Sequence, residues 1–516
     1  LYGDIDLEVQ LSGGFMDMRF SCAVRSALAL VAMTCGAVLS GCATAPGAAP
    51  GGPLAAQAAA IRSGQITSEA VTRQAIATAR ANPQLNAFIT LDEAGAIAAA
   101  RAVDNRRRMG GATEPLAGVP IVVKDNVHVA GVPSSAGTPA LAGFVPKDDA
   151  PVVAALRKAG AIVIGKTNMH ELAFGISGYN EAFKTQTEFG VRNAVNPKYA
   201  AGGSSSGTGA ALGAGIVLAG LGTDTGGSVR IPCAFNGCAA LRPTVKRYSQ
   251  EGIAPISSTR DTAGPMAKTM RDVALLDAVI TGTQIAIAAE LKTVRLGIVK
   301  KPFLDNLDAD TRAVFDASIA KLRAAGATVI EVEMPNLMAL NGAVGFPVAL
   351  YEAYDDLAAY LKKWLPGTTV EMVAQKIASK DVKGTFDGLV VPRKLPGPNN
   401  TLVDAKPVYE AAIKTERPKL IALYAQTFRA NQLDAIVFPT TPRVAMLQGP
   451  SASSLENFGL YIQNTDPGSN AGVPGITVPA GRGVTSGLPV GIELDGPANS
   501  DARLLAIGIA VEDALR

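Results

Sequence analysis

From residue 61 onwards the apolar positions alternate between a helical period and short continuous runs. Thr67 or Ser68 can cap a helix carrying Val71, Ala75, Ile76 and Ala79, which stops before Asn82-Pro83. Asp92 opens a second, alanine-rich helix reaching about Arg108. Gly118-Val119-Pro120-Ile121-Val122-Val123 then reads as a short buried strand. A helix from Asp149-Ala150-Pro151 to Gly160 leads into a strand over 161–164, and the rhythm returns at 294–298, 310–325, 327–330 and 435–439. Residues 345–425 are more helical and carry Trp364, the only tryptophan. Such βα alternation predicts an α/β fold, an open and mostly parallel sheet with helices on both faces. No internal repeat and no clear linker interrupts 61–516, so one large domain is predicted there.

Before residue 61 the pattern is of another kind. Residues 1–17 show no clean periodicity; Met18 is followed by Arg19, Arg25 and an apolar run from Ala27 to Leu39. That run has thirteen residues, short of the roughly 20 that span a bilayer as a helix. A basic start and a short apolar stretch fit a secretory signal. It ends Leu39-Ser40-Gly41-Cys42, which resembles a bacterial lipoprotein box. The resemblance implies cleavage after residue 41, a lipid on Cys42, and an exported, periplasmic or cell-envelope protein. An ordinary signal peptide with a coincidental cysteine is the alternative. The Ala/Gly/Pro-rich residues 42–60 are predicted to be a flexible tether.

Composition narrows the chemistry. Hydrophobic residues are 48% and charged residues 18%, enough apolar material for a large core. Lys and Arg number 47 against 44 Asp and Glu, and the basic residues are scattered, which argues against nucleic acid as a partner. With two histidines, His128 and His170, and five cysteines, a His₃ or Cys₄ zinc site is nearly excluded. No metal and no cofactor is expected, and both histidines are read as structural. Cys233 and Cys238 could pair in an oxidising compartment, but their four-residue gap does not decide it, and both are expected to be buried and reduced.

Two glycine-serine clusters stand out: Gly202-Gly203-Ser204-Ser205-Ser206-Gly207, and Gly222-Thr223-Asp224-Thr225-Gly226-Gly227-Ser228-Val229-Arg230. Neither matches GxxxxGK[ST] or GxGxxG, so neither is a phosphate loop of those kinds. In Gly226-Gly227-Ser228 successive N–H groups can converge before a serine, as an oxyanion hole requires. Serine needs a base, and with histidine scarce lysine is the substitute. Lys124 follows Ile121-Val122-Val123; on a buried strand desolvation lowers a lysine's pKa until the amine can accept a proton. A surface strand end, or pairing with Asp125, are the other readings of Lys124 by itself.

The joint pattern resembles the amidase signature family. The matching elements are 118–126, 202–207 and Gly222–Arg230 continuing through Ile231-Pro232, with Ser204 80 residues after Lys124 and Ser228 24 residues after Ser204. A looser likeness extends over 61–516. The resemblance implies an α/β/α fold with a mixed central sheet and a Ser-cisSer-Lys triad. By position it makes Ser228 the nucleophile, Ser204 the bridging serine after a cis Gly203–Ser204 peptide, and Lys124 the base. Backbone N–H groups of Thr225, Gly226, Gly227 and Ser228 would hold the oxyanion. Asp224 and Arg230 would brace the loop, and Ser205 would hydrogen-bond within the site. The stretch 237–267 looks most like the indoleacetamide and mandelamide hydrolase branch, implying an aryl-substituted amide as the small-molecule substrate. Tyr179, Phe346, Tyr351, Tyr354 and Trp364 are candidate pocket aromatics. Ester or carbamate hydrolysis by the same triad is the nearest alternative; an amidotransferase subunit and a non-catalytic lipid-anchored binding protein are more distant ones. Partners beyond the substrate are limited to a membrane reached through Cys42 and a second copy of the chain.

Overall fold

A computed structural model describes residues 51–111, 114–184 and 190–516. The leader, the lipoprotein-like box and Cys42 lie outside these residues. Thirteen strands appear in chain order among them. They are β1 (Phe88–Leu91), β2 (Pro120–Lys124), β3 (Ile162–Thr167), β4 (Ala219–Asp224), β5 (Ala239–Arg242) and β6 (Thr262–Ala267). β7 (Arg295–Val299), β8 (Thr328–Val332), β9 (Lys394–Pro396), β10 (Leu402–Asp404), β11 (Ala435–Pro439), β12 (Gly475–Arg482) and β13 (Pro489–Asp495) follow. Eleven form one sheet in the order β1-β3-β2-β4-β6-β5-β12-β13-β11-β7-β8, and β9 pairs with β10 alone.

The sheet is mixed, but mostly antiparallel, which corrects the parallel expectation. Parallel pairing is confined to β3-β2-β4 and to β11-β7-β8. Between these blocks β4, β6, β5, β12, β13 and β11 pair antiparallel, and β1 does so at one edge. The intervening strands were hidden by their composition. β6 carries Gly264 and Pro265, and β12 carries Pro479, residues that read as turns in a sequence.

The apolar runs behave as doubly covered strands. Ile121 and Val123 join the core on one face of the sheet while Val122 joins the core on the other. Ala435 and Val437 divide from Ile436 and Phe438 in the same way. Helices begin where their caps predict. Thr67 accepts from the Ala70 N–H at the start of the helix Ser68–Ala81, and Asp92 caps Glu93–Arg108. The residues predicted as a tether, 42–60, are helical from Pro53 onwards. Pro53–Ser63 is a helix whose Leu54, Ala58 and Ile61 are buried, and Asp272 accepts from the Leu54 N–H at 3.1 Å. The spacing i, i+4, i+7 is an apolar stripe that the Ala/Gly/Pro composition obscured.

Candidate active site

Three neighbouring parallel strands end on one side of the sheet, where open α/β sheets bind ligands. β2 ends in Lys124, β4 ends in Asp224 and runs on to Ser228, and β3 leads three residues later to His170. Lys124 is fully buried, and its Nζ lies 2.8 Å from Ser204 Oγ and 2.7 Å from Thr223 Oγ1. Asn126 donates to the same Thr223 hydroxyl at 3.1 Å. Among the described residues no carboxylate lies within ion-pair distance of Lys124. Burial lowers its pKa to about 7; the fields of Asp224 and Asp261 oppose this without cancelling it. Asp125 is turned elsewhere, accepting from Ser135 and Gly137 and lying 3.5 Å from Lys166.

Ser204 follows a cis Gly203–Ser204 peptide. A Cβ on Gly203 would come within 2.9 Å of the Gly175 carbonyl oxygen and the Ile176 carbonyl carbon, so only glycine admits this approach. Ser205 ties the two loops together: its N–H donates to the Ser228 carbonyl at 3.1 Å, and its Oγ bridges the Thr223 N–H and C=O. The helix Ser206–Gly213 starts immediately afterwards.

The Ser228 loop hangs on Asp224. Its carboxylate accepts from Gly227 N–H at 2.8 Å and Val229 N–H at 3.1 Å, on either side of Ser228. Arg230 grips the same carboxylate through Nε and Nη2 and continues to Glu493 and Ser469, while Arg242 adds a further contact. Burial works against the Asp224 charge, but Arg230 and Arg242 outweigh it and hold this carboxyl well below the usual carboxylate range. Of the four N–H groups predicted to hold an oxyanion, that of Gly227 thus donates to Asp224. The N–H groups of Thr225, Gly226 and Ser228 make no hydrogen bond to the described residues. Gly227 has φ of +142°, and Thr465, whose hydroxyl donates to the Gly226 carbonyl, would collide with a Cβ there.

Ser228, Thr225 and Gly226 open onto a cavity of about 470 Å³. Of the predicted pocket aromatics, Phe346 lines it; Tyr179, Tyr351, Tyr354 and Trp364 do not. Tyr351 stacks on Tyr409 beneath Arg393, which also covers Tyr354; Trp364 packs edge-on to His128, and the Tyr179 hydroxyl donates to Glu181. The reason is helical phase. On the helix Leu337–Trp364 positions 345, 346, 349 and 350 face the cavity, and Tyr351 and Tyr354 lie outside that stripe. Phe174 and Phe458 complete the aromatic wall; no local pattern marks either. Thr223, Arg260 and Asp261 also escaped prediction. Thr225 Oγ1 donates to Asp261 at 2.6 Å, and Arg260 Nη2 donates to the Thr225 carbonyl. These partners are about 36 residues apart in the chain, so spacing carried no signal.

The histidines separate. His128 is buried against Tyr360, and burial lowers its pKa to about 4. His170, read as structural, is buried and borders the cavity, with Nε2 2.9 Å from Asp381. Cys233 and Cys238, behind the loop, are buried but joined in a disulfide, which corrects the reduced expectation.

The family model described as Amidase matches residues 70–505. The chain belongs to the amidase family. This amidase is 45% identical over 462 residues to the mandelamide hydrolase of Pseudomonas putida, covering 90% of this chain and 91% of that one. It is 40% identical over 447 residues to the indoleacetamide hydrolase of Rhizobium radiobacter, covering 85% and 92%. The native peptide amidase of Stenotrophomonas maltophilia has the same fold, with TM-score 0.74 and 30% identity over 90% of this chain and 96% of that one. The chain is an amidase-family hydrolase.

Proposed function

We propose that this amidase hydrolyses the C–N bond of arylalkyl carboxamides through an acyl-enzyme on Ser228, with Ser204 as the bridging serine and Lys124 as the base. One observation carries the reading: a fully buried lysine, lowered to about 7, sits 2.8 Å from the hydroxyl of Ser204 with no carboxylate among the described residues paired to it. The apolar cavity wall and the names of the mandelamide and indoleacetamide hydrolases support an aryl substituent.

Neutral Lys124 takes the Ser204 proton as Ser204 takes that of Ser228, and Ser228 Oγ bonds to the carbonyl carbon. The oxyanion faces the N–H groups of Thr225, Gly226 and Ser228. The proton then returns through Ser204 to the leaving nitrogen, because an amide anion is too poor a leaving group to depart unprotonated. The C–N bond breaks, leaving an ester on Ser228. Water attacks that ester, gives its proton to the same relay, and the carboxylate departs with Ser228 restored. Asp224, Arg230 and Ser205 hold the loops in register throughout.

The test is turnover of arylacetamides, anilides, a peptide amide, aryl carbamates and p-nitrophenyl esters, with Ser228→Ala as control. Ser228-dependent release of arylacetate and ammonia is expected. Hydrolysis confined to esters or carbamates would overturn the amide assignment, and no turnover of any member would favour a subunit that acts only within a complex.

Export as a lipoprotein is proposed alongside, supported by the sequence of 18–42 and by a disulfide, a bond that persists in oxidising compartments. Cys42→Ser should release the full-length protein from the membrane fraction, and unchanged fractionation would contradict the anchor.

A further inference from the structure

The cavity beside Ser228 has one polar wall. Elsewhere Phe174, Ile176, Phe346, Leu350 and Phe458 make it apolar. Several of its polar groups are already matched. Arg260 and Asp466 bond each other at 2.5 Å, Asp466 also takes Asn341 and Asn470, and Thr385 donates to the Asp381 carbonyl. The Asp381 carboxylate is different. Its Oδ2 is held by His170 Nε2 at 2.9 Å, its Oδ1 accepts from the Val382 N–H at 2.9 Å, and the Ser453 hydroxyl also reaches it. A carboxylate has about four acceptor sites. One remains on a side chain that is 22% exposed and lines the cavity.

His170 is built to hold that carboxylate still. Its ring is buried, its backbone N–H donates to the Ser204 carbonyl at 3.2 Å, and Nδ1 faces Ser177 Oγ at 3.5 Å. Ser177 is in turn bonded to Ser453 at 2.7 Å. Both ring nitrogens are occupied, so His170 offers the substrate no nitrogen and acts through Asp381. The neighbouring Lys380 also lines the cavity, at its exposed rim, and repels a second cation, while Asp381 repels an anion. The complement is a neutral hydrogen-bond donor on an apolar body.

We propose that Asp381, positioned by His170, is a donor-reading subsite that selects arylalkyl amides carrying a hydroxyl or ring N–H over matched amides without one. The inference rests on the reading of the cavity as the amide-binding site. A hydrogen bond to a charged acceptor in a site of low polarity favours the matched ligand by about 10- to 100-fold. An amide without the donor leaves the carboxylate short of a partner.

The experiment measures equilibrium binding by calorimetry to Ser228→Ala, where turnover is blocked. Two matched pairs are used: 2-hydroxy-2-phenylacetamide against phenylacetamide, and indole-3-acetamide against its ring-N-methyl analogue. Within each pair the donor-bearing amide should bind about tenfold or more tightly. That ratio should collapse towards one with Asp381→Ala added, fall partway with Asp381→Asn, and fall with His170→Phe. Reading a ratio cancels any general loss of affinity, and thermal melts confirm that each variant is folded. Equal affinities within both pairs, or a ratio that survives Asp381→Ala, would overturn the subsite. Donor preference in binding without amide turnover by the unsubstituted protein would sink the proposed function and leave the subsite standing. Turnover without preference would do the reverse.

Discussion

Two buried cations flank the Ser228 loop, and their surroundings are opposite. Arg230 meets the carboxylates of Asp224 and Glu493, whose fields outweigh the cost of its burial and hold the guanidinium above its usual range. Lys124, equally buried, meets the hydroxyls of Ser204 and Thr223 and falls to about 7. Lys166 stands between them: it is as buried as Lys124, but Asp125 lies at 3.5 Å, and it is lowered only to about 8. The difference separates two tasks. A brace must keep its charge, so it is surrounded by acids; the base that we propose Lys124 to be must give its proton up and take it back, which acids close by would oppose.

The contrast can be broken from either side. Lys124→Ala removes the proposed base and should lower amide turnover by about 10³-fold or more, because general-base catalysis contributes about 10²–10⁴-fold and the proposed Ser204 relay would lose its terminus. Near-normal turnover in that variant would remove Lys124 from the mechanism. Arg230→Met leaves the buried Glu493 without its cation and Asp224 with Arg242 alone, and should cost about 3–5 kcal/mol of stability in chemical denaturation. A loss under about 1 kcal/mol would show that the cage is not what holds the loop.

A subtler change makes Lys124 resemble Lys166. In the proposed mechanism the neutral amine is the active form, so acylation in the unsubstituted protein should fall about tenfold per pH unit below about 7 and level off above it. Thr223→Asp places a carboxylate beside Nζ and should move that inflection up by about 1–3 units. A profile left in place would mean that another group sets it. The smallest expected effect is a ratio. Ser204→Ala should slow amide cleavage about tenfold more than p-nitrophenyl ester cleavage, since only the amine needs a returned proton; equal losses would deny Ser204 that role.

Much of the parallel framework was legible. Apolar runs and caps marked the helices Ser68–Ala81 and Glu93–Arg108, the strands β2, β3, β7, β8 and β11, and the helix Ala309–Ala324. The antiparallel strands β5, β6, β12 and β13 were not: β5 is only the four residues Ala239–Arg242, the glycines and prolines of the other three look like turns, and the stability of all four comes from neighbouring strands. In the site, the serine loops and Lys124 were legible as motifs. Phe174, Phe458, Arg260 and Asp381 were not, since each reaches the cavity from an element distant in the chain.

What the sequence alone determined was local: a lysine closing an apolar strand, serines among glycines that tolerate close approach, and an acid and an arginine six positions apart. Those features say which chemistry the chain can hold. Tertiary structure decided which carboxylates face which cations, that the Gly227 N–H meets the Asp224 carboxylate, and that Cys233 meets Cys238. The physical reason is distance. Burial and charge act over a few ångströms, and only the folded sheet, with β2 and β4 side by side, sets which groups lie that close to Lys124.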